Sequence, residues 1–182
     1  LFAVEKRSGL EQSGAAIVDL AERLNDWLQA DQPQTDILQA LLYLDLWGNQ
    51  ADYSLWPADA DGAHKPDHAD IAQASDFLLC DDSSQVSEHL SALRGAASRV
   101  DFLIDNAGME LVADLALADY LLSSLATQQV NLHLKAHPTF VSDALPKDVH
   151  ETVEYLAGAD DLSVEALGSR LRHHLDEQRL LL

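Results

Sequence analysis

The apolar residues near the start of the chain recur with the spacing of helices. From Gly9 to Ala30 they fall three and four residues apart, which is the stripe of an amphipathic helix facing a core. The segment 31–33, Asp-Gln-Pro, ends that pattern, and a second helix is predicted over Thr35–Leu46. The following segments, 47–57 and 59–70, are rich in Gly, Asn, Asp and Pro and are predicted to be loops.

After residue 70 the pattern changes to short apolar runs that alternate with helical stripes. The predicted strands are 76–80, 100–104 and 130–134, and the predicted helices are 83–93, 108–124 and 147–182, the last with a break at Gly158. Strands that alternate with helices are typical of a parallel sheet. We therefore predict an α/β protein in which a three-layer α/β/α Rossmann-like sheet, mostly parallel, occupies residues 70–182. A small helical segment, 1–58, precedes it.

The composition narrows the set of partners. Acidic residues outnumber Lys and Arg 31 to 11, and the net charge is −20. A field of that sign repels DNA and RNA, so we expect no nucleic-acid partner. No apolar run approaches the roughly 20 residues that span a bilayer, and no secretory signal opens the chain, so we expect no membrane partner. The single cysteine, Cys80, lies in a predicted buried strand and is consistent with a reducing cytoplasm, the predicted location.

Polar side chains follow each predicted strand at the edge of the sheet where ligands bind in parallel α/β proteins. They are Asp81-Asp82 after the first strand, Asp105-Asn106 after the second, and Lys135 with Ser142-Asp143 beyond the third. Carboxylate and carboxamide oxygens are hard donors that suit Mg²⁺ or Mn²⁺. The spacing alone slightly favours an alternative, in which Asp105 and Asn106 cap the helix that follows Gly108.

Three longer motifs add to this pattern. They are WGNQADYS over residues 47–54, DNAGMELVADLALADYLL over 105–122 and HLKAHPTFVSD over 133–143. In this order they resemble the metal-dependent damage-control phosphatases, a family also described as acidic-residue methyltransferase-like. The resemblance covers 37–143, more than half of the chain.

The resemblance implies a metal site and a catalytic group. Asp105, Asn106 and Asp143 would hold a divalent metal, Mn²⁺ or Mg²⁺, with Co²⁺ or Ni²⁺ as further candidates. Asp105, Asn106 and Glu110 would form the catalytic set, in which Glu110 orients the site or a water molecule. The alternative for Glu110 is a first-turn acid that complements the helix dipole. Asp114 is expected to support the site rather than bind the metal.

The resemblance also implies a substrate. Asn49, Asp52 and Lys135 would contact a small phosphorylated metabolite, such as fructose 1-phosphate or fructose 6-phosphate, which a metal-dependent phosphatase hydrolyses. Two alternatives stay open: an S-adenosylmethionine-dependent protein carboxyl methyltransferase and a non-catalytic metal-binding fragment. A glycine-rich GxGxG loop, which would favour the methyltransferase, is absent after the early predicted strands.

Members of the family continue with a further strand and a KGDxNYRxL-type segment that completes the phosphate site. Residues 147–182 contain no such segment and are predicted to be helical to their end. The α/β domain at 70–182 is therefore expected to be C-terminally incomplete.

Overall fold

In a computed structural model of the chain, residues 2–30, 33–48, 78–93, 98–125 and 127–182 are described, with the side chains of 2–5 excepted. These residues form seven helices: α1 (Phe2–Gln12), α2 (Gly14–Gln29), α3 (Gln34–Leu46), α4 (Ser83–Ala92), α5 (Met109–Ser123), α6 (Pro146–Ala157) and α7 (Leu162–Asp176). They also form three strands: β1 (Arg99–Leu103), β2 (Gln129–His133) and β3 (Leu180–Leu181). No described helix is long and apolar enough to cross a membrane.

The N-terminal helices follow the predicted apolar stripe but divide differently. The predicted helix from Gly9 to Ala30 is two helices, because the chain breaks at Ser13 before α2 begins. The stripe on α2 is buried at Ile17, Leu20, Ala21 and Leu24, as its spacing indicates. Both α2 and α3 pack on α5, so the N-terminal helices share a core with the rest of the chain. The predicted domain boundary between 58 and 70 lies outside the described residues and stays a prediction.

Helix α5 forms the centre of the molecule. Every residue from Leu111 to Leu122 is buried, including Asp114 and Asp119. Its neighbours are α2, α3, α7 and β2, which surround it on all sides. A helix that is apolar around its whole circumference is stable only in such a position. The helix therefore gives a rigid support to whatever its first turn carries.

The strands form one parallel sheet of order β1-β2-β3. Arg99 pairs with Gln129 and Leu103 with His133, while Val130 pairs with Leu180. The predicted α/β class with a parallel sheet is confirmed. Along β1, the side chain of Leu103 is 87% exposed, on the face opposite the core. The three-layer arrangement therefore stays a prediction, since the described residues cover one face of the sheet.

Two predictions about the strands are wrong. The described part of the run at 76–80 is not a strand, and both Leu79 and Cys80 are exposed, so the thiol is not buried. The tail is not helical to its end, because Leu180 and Leu181 form β3. Gln178, with a φ of 55°, turns the chain after α7. Arg179 then donates to the carbonyl oxygens of Leu122 (2.6 Å) and Thr127 (3.0 Å), which holds β3 against the sheet.

Candidate active site

The predicted polar residues meet where β1 and β2 end. The segment 142–144 returns between the two strand ends, because Ala144 donates its amide to the carbonyl of Asp105 (2.9 Å) and accepts from the amide of Lys135 (3.3 Å). Asn106 and Asp143 pair through an isolated antiparallel bridge. The carboxyl ends of neighbouring parallel strands share one edge of a sheet, so Asp105 and Lys135 come together with this segment. Four residues singled out in the sequence thus share one site: Asp105, Asn106, Lys135 and Asp143.

Asp143 is the buried, fixed carboxylate of the site. Its side chain is only 4% exposed. One oxygen, Oδ2, accepts from the amides of Thr139 (2.7 Å) and Phe140 (2.8 Å), while Oδ1 lies 2.5 Å from Lys135 Nζ. The Lys135 ammonium, followed by these amides, lowers the pKa of Asp143 to about 2. Asp143 is therefore ionised at neutral pH.

Lys135 bridges two carboxylates. Its ammonium donates to the Asp105 side chain and to Oδ1 of Asp143, and it lies 3.0 Å from the Asp105 carbonyl oxygen. The hydrogen bonds with Asp105 and then Asp143 raise the pKa of Lys135. The side chain of Asp105 is exposed whereas that of Asp143 is buried, so the Lys135 ammonium is open to solvent on the Asp105 side.

Glu110 orients the Asn106 carboxamide. Its two oxygens accept from the backbone amide of Asn106 (3.2 Å) and from Nδ2 (2.9 Å). The same Nδ2 lies 3.3 Å from Asp105 Oδ2. Both hydrogen-bond donors of the side-chain amide thus have acceptors, and among the described residues none donates to Oδ1. That oxygen is available to a ligand. Glu110 also lies in the first turn of α5, so the dipole interpretation holds beside the orienting one.

A glycine makes the turn from β1 into α5. Gly108 has a φ of 84°, in the region that residues with a Cβ rarely adopt. This turn lets Asn106 leave the strand while α5 begins at Met109. The glycine in the DNAG motif is thus a structural requirement of the site.

The WGN motif lies against the same helix turn. A Cβ at Gly48 would be 2.9 Å from the Cα of Glu110. Asp45, one turn earlier on α3, is hydrogen-bonded to Asp114 on α5. Burial above all, and then the charge of Asp45, raise the pKa of Asp114 to about 9, while burial raises that of Asp45 to about 6. The pair therefore holds a proton at neutral pH and joins α3 to α5 just beyond Glu110. Asn49 and Asp52 lie outside the described residues.

Asp81 has a different role from the one predicted. It was expected at the end of a strand, but its carboxylate accepts from the Tyr43 hydroxyl (2.5 Å) and the Ser83 amide (3.0 Å). The Ser83 hydroxyl first, and then the Tyr43 hydroxyl and the Ser83 amide, lower the pKa of Asp81. Asp81 thus fixes the start of α4 to α3. Assignment of Asp81 to a strand end is wrong because that strand is absent from the described part of 76–80.

One residue that contacts the site gave no signal in the sequence. Lys6 on α1 donates to the carbonyl oxygen of Asp143 (2.6 Å) and to Asp148 Oδ2 (2.5 Å). It is 137 positions from Asp143 in the chain. Nothing in the local sequence distinguishes it from a surface lysine, so only the packing of α1 reveals it.

The Lys135 ammonium lies between two carboxylates at the carboxyl ends of parallel strands. This is the edge of the sheet at which α/β proteins bind their ligands. The chain belongs to the family described as damage-control phosphatase ARMT1-like domain, whose model matches residues 1–182. The resemblance seen in the three motifs is thereby confirmed.

Named relatives agree with this membership. The chain is 38% identical over 188 residues to damage-control phosphatase ARMT1 of Danio rerio, covering 97% of the chain and 42% of that protein. It is 36% identical over 137 residues to the protein of the same name from Rattus norvegicus, covering 71% of the chain and 30% of the relative. To the protein of that name from Homo sapiens it is 30% identical over 164 residues, covering 85% of the chain and 37% of the relative. The chain thus spans less than half the length of these relatives.

Proposed function

We propose that this chain carries the metal site of a phosphatase that hydrolyses small phosphometabolites, such as fructose 1-phosphate or fructose 6-phosphate. The observation that supports this most is the bridge of Lys135 between Asp105 and Asp143. It shows that the two carboxylates are close enough to share one cation. Cytoplasmic action belongs to the same proposal.

The donor set fits a divalent metal. Asp105 and Asp143 already share an ammonium, and Oδ1 of Asn106, to which no described residue donates, adds a third oxygen at the same edge. Three hard oxygen donors suit Mn²⁺ or Mg²⁺, with Co²⁺ and Ni²⁺ as further candidates. Asp105, Asn106 and Asp143 would hold the metal. When bound, it would act as a Lewis acid that neutralises charge on the phosphoryl group.

The residues of the chain have distinct roles in this proposal. Asp143 is immobile because two amides and a lysine hold its side chain, so it provides a preorganised ligand. Glu110 acts through Asn106 by accepting from its backbone amide and from its Nδ2, which fixes the orientation of the carboxamide. Lys135 would contact the phosphate, and Asn49 and Asp52, on the chain that follows Gly48, would contact the rest of the substrate. Hydrolysis breaks the ester bond with one water molecule and yields the free sugar and inorganic phosphate.

Phosphate release tests the proposal directly. The chain is assayed against a panel of sugar phosphates with Mn²⁺, with Mg²⁺ and with a chelator, beside the Danio rerio relative. We expect metal-stimulated release that Asp105→Asn abolishes. Asp101→Asn is the matched control, because Asp101 is also a carboxylate on β1 but pairs with Arg99, Asn131 and His133 away from the site. Failure of the chain to release phosphate while the relative does would refute activity of this chain.

The two alternatives predict different outcomes. The turn after β1 is Asp105-Asn-Ala-Gly108, so the described residues contain no glycine-rich loop there to favour the carboxyl methyltransferase. That activity predicts a thermal shift with S-adenosylmethionine rather than with Mn²⁺. A non-catalytic fragment predicts that this chain binds Mn²⁺, that Asp105→Asn removes the binding, and that neither this chain nor its variant releases phosphate.

A further inference from the structure

Lys6 places a buried ammonium behind the site. Its side chain is 8% exposed, and that of its partner Asp148 is 3% exposed. A buried charge is costly unless it is paired and hydrogen-bonded. Lys6 meets both conditions, with Asp148 Oδ2 at 2.5 Å and the Asp143 carbonyl oxygen at 2.6 Å. The charge of Lys6 is therefore matched by Asp148, and its second bond is directed at the backbone of Asp143.

Asp148 connects this pair to the start of α6. Its Oδ2 also accepts from the amide of Leu145 (2.9 Å), the N-cap residue of the helix. Only Ala144 separates Asp143 from Leu145. Lys6 holds the carbonyl before Ala144 and Asp148 holds the amide after it. The backbone that carries the Asp143 side chain is thus held from α1 at one end and by the α6 cap at the other.

Asp143 is consequently held at two places by two different lysines. Lys135 contacts its carboxylate, on the ligand side, whereas Lys6 contacts its carbonyl, on the core side. The amides of Thr139 and Phe140 hold the carboxylate itself, and Lys6 holds the backbone that carries it, so the direction of the carboxylate depends on both. A second contact that fixes a ligand's orientation typically changes metal affinity 10- to 100-fold when it is removed.

We propose that Lys6 is a positioning residue for the site: by holding the Asp143 carbonyl it sets the direction of the Asp143 carboxylate. This inference rests on the proposed metal site for its effect on metal, but the effect on the backbone is independent of it. Lys6 does not touch the ligand position. Its contribution is the attachment of α1 to the segment that supplies Asp143.

The test uses a variant that avoids an unpaired buried charge. Lys6→Met alone would leave Asp148 buried and unpaired, so it is combined with Asp148→Asn, which keeps an oxygen for the Leu145 amide. Arg7→Met is the control, because Asp148→Asn alone would leave the Lys6 ammonium buried without its carboxylate. Arg7 is adjacent on α1, with a side chain that is 75% exposed and paired with Glu11.

Two measurements are made on each protein. Hydrogen exchange without metal reports on the amides of 139–145, and calorimetric titration with Mn²⁺ reports affinity. We expect the double variant to exchange faster in 139–145 than in β2 and to bind Mn²⁺ roughly 10-fold more weakly than the wild type, as for other residues that orient a ligand. Arg7→Met is expected to match the wild type.

The outcomes separate this inference from the proposed function. Wild-type protein that binds no Mn²⁺ refutes the metal site, and the exchange of 139–145 still decides the role of Lys6. Unchanged exchange in the double variant, or an equal increase in β2, overturns the positioning role. Faster local exchange with unchanged Mn²⁺ affinity overturns it as well, because the carboxylate would then keep its direction without Lys6.

Discussion

Gly48→Ala tests the contact between the WGN motif and the first turn of α5. A Cβ at position 48 would lie 2.9 Å from the Cα of Glu110 and 3.4 Å from the Cβ of Ala113. Carbon atoms in contact prefer about 3.5–4.0 Å, so the backbones must separate by roughly 0.6 Å. Glu110 is only partly buried at the start of α5, whereas the helix is buried from Leu111 onwards, so we expect its first turn to share the displacement with the segment around residue 48.

The expected cost follows from this overlap. Adding a methyl group to a packed site costs about 1–3 kcal/mol. At the middle of that range, about 2 kcal/mol, a chain of this size melts roughly 4–8 °C lower. Glu110 carries the hydrogen bonds that orient Asn106, so Mn²⁺ affinity should fall together with the melting temperature.

Thermal denaturation followed by circular dichroism measures the stability, and titration with Mn²⁺ measures the site. Gly9→Ala is the matched control, since nothing lies within 4 Å of a Cβ there. In a helix interior alanine is favoured over glycine by about 0.5–1 kcal/mol, so this control should melt at or above the wild-type temperature. If Gly48→Ala melts with the wild type and binds Mn²⁺ equally well, the close contact at Glu110 is wrong.

Three further predictions concern the core that supports the site. A Cβ at Gly168 would lie 2.1 Å from a backbone nitrogen of α6. Gly168→Ala should therefore reduce the free energy of unfolding by about 3 kcal/mol and the melting temperature by roughly 6–12 °C. A variant that melts with the wild type would contradict the packing of α6 on α7. In the folded state the pKa is about 6 for Asp45 and about 9 for Asp114, against 3.8 for an unfolded carboxyl group. The folded protein therefore keeps protons that the unfolded chain releases. This stabilisation is complete below pH 3.8 and is lost as pH rises through about 6 for Asp45 and about 9 for Asp114. Urea denaturation from pH 5 to 9 should show a smaller decline for Asp114→Asn than for the wild type, and an unchanged decline would show that the pair holds no extra proton. Arg170→Met removes the guanidinium that lies 2.7 Å from the fully buried Asp119, so the free energy of unfolding measured with urea should fall by about 3 kcal/mol. The double variant with Asp119→Asn should regain most of this loss. An unshifted denaturation midpoint for Arg170→Met would refute the pairing.

The elements predicted correctly are those with a long or repeated local pattern. The stripe on α2 extends over three turns, and α5 is a long apolar run after a glycine, so each has one stable position in a core. The strands β1 and β2 alternate with helices and therefore had to run parallel. The convergence of Asp105 with Lys135 follows directly from that topology.

The errors fall where the local pattern is too short to decide. The run at 76–80 has four apolar residues out of five, as many as the run at 100–104, and a short apolar run does not by itself distinguish a strand from other structure. Strand β3 has only two residues, and its formation depends on the turn at Gln178 and on the contacts of Arg179 with distant carbonyls. The position of Lys6 depends on how α1 packs, which no local pattern contains.

The position of Lys135 resolves a conflict between the charge of the chain and its proposed substrate. A net charge of −20 disfavours a phosphate dianion, and Lys135, which contacts the site carboxylates, is already bonded to two of them. Phosphate and carboxylates thus compete for the same ammonium. A divalent cation between Asp105 and Asp143 would match their charge and leave Lys135 available to the phosphate. The proposed metal and the proposed substrate therefore depend on each other: without the metal, the ammonium of Lys135 stays bonded to Asp105 and Asp143, and the described part of the site offers the phosphate no other ammonium.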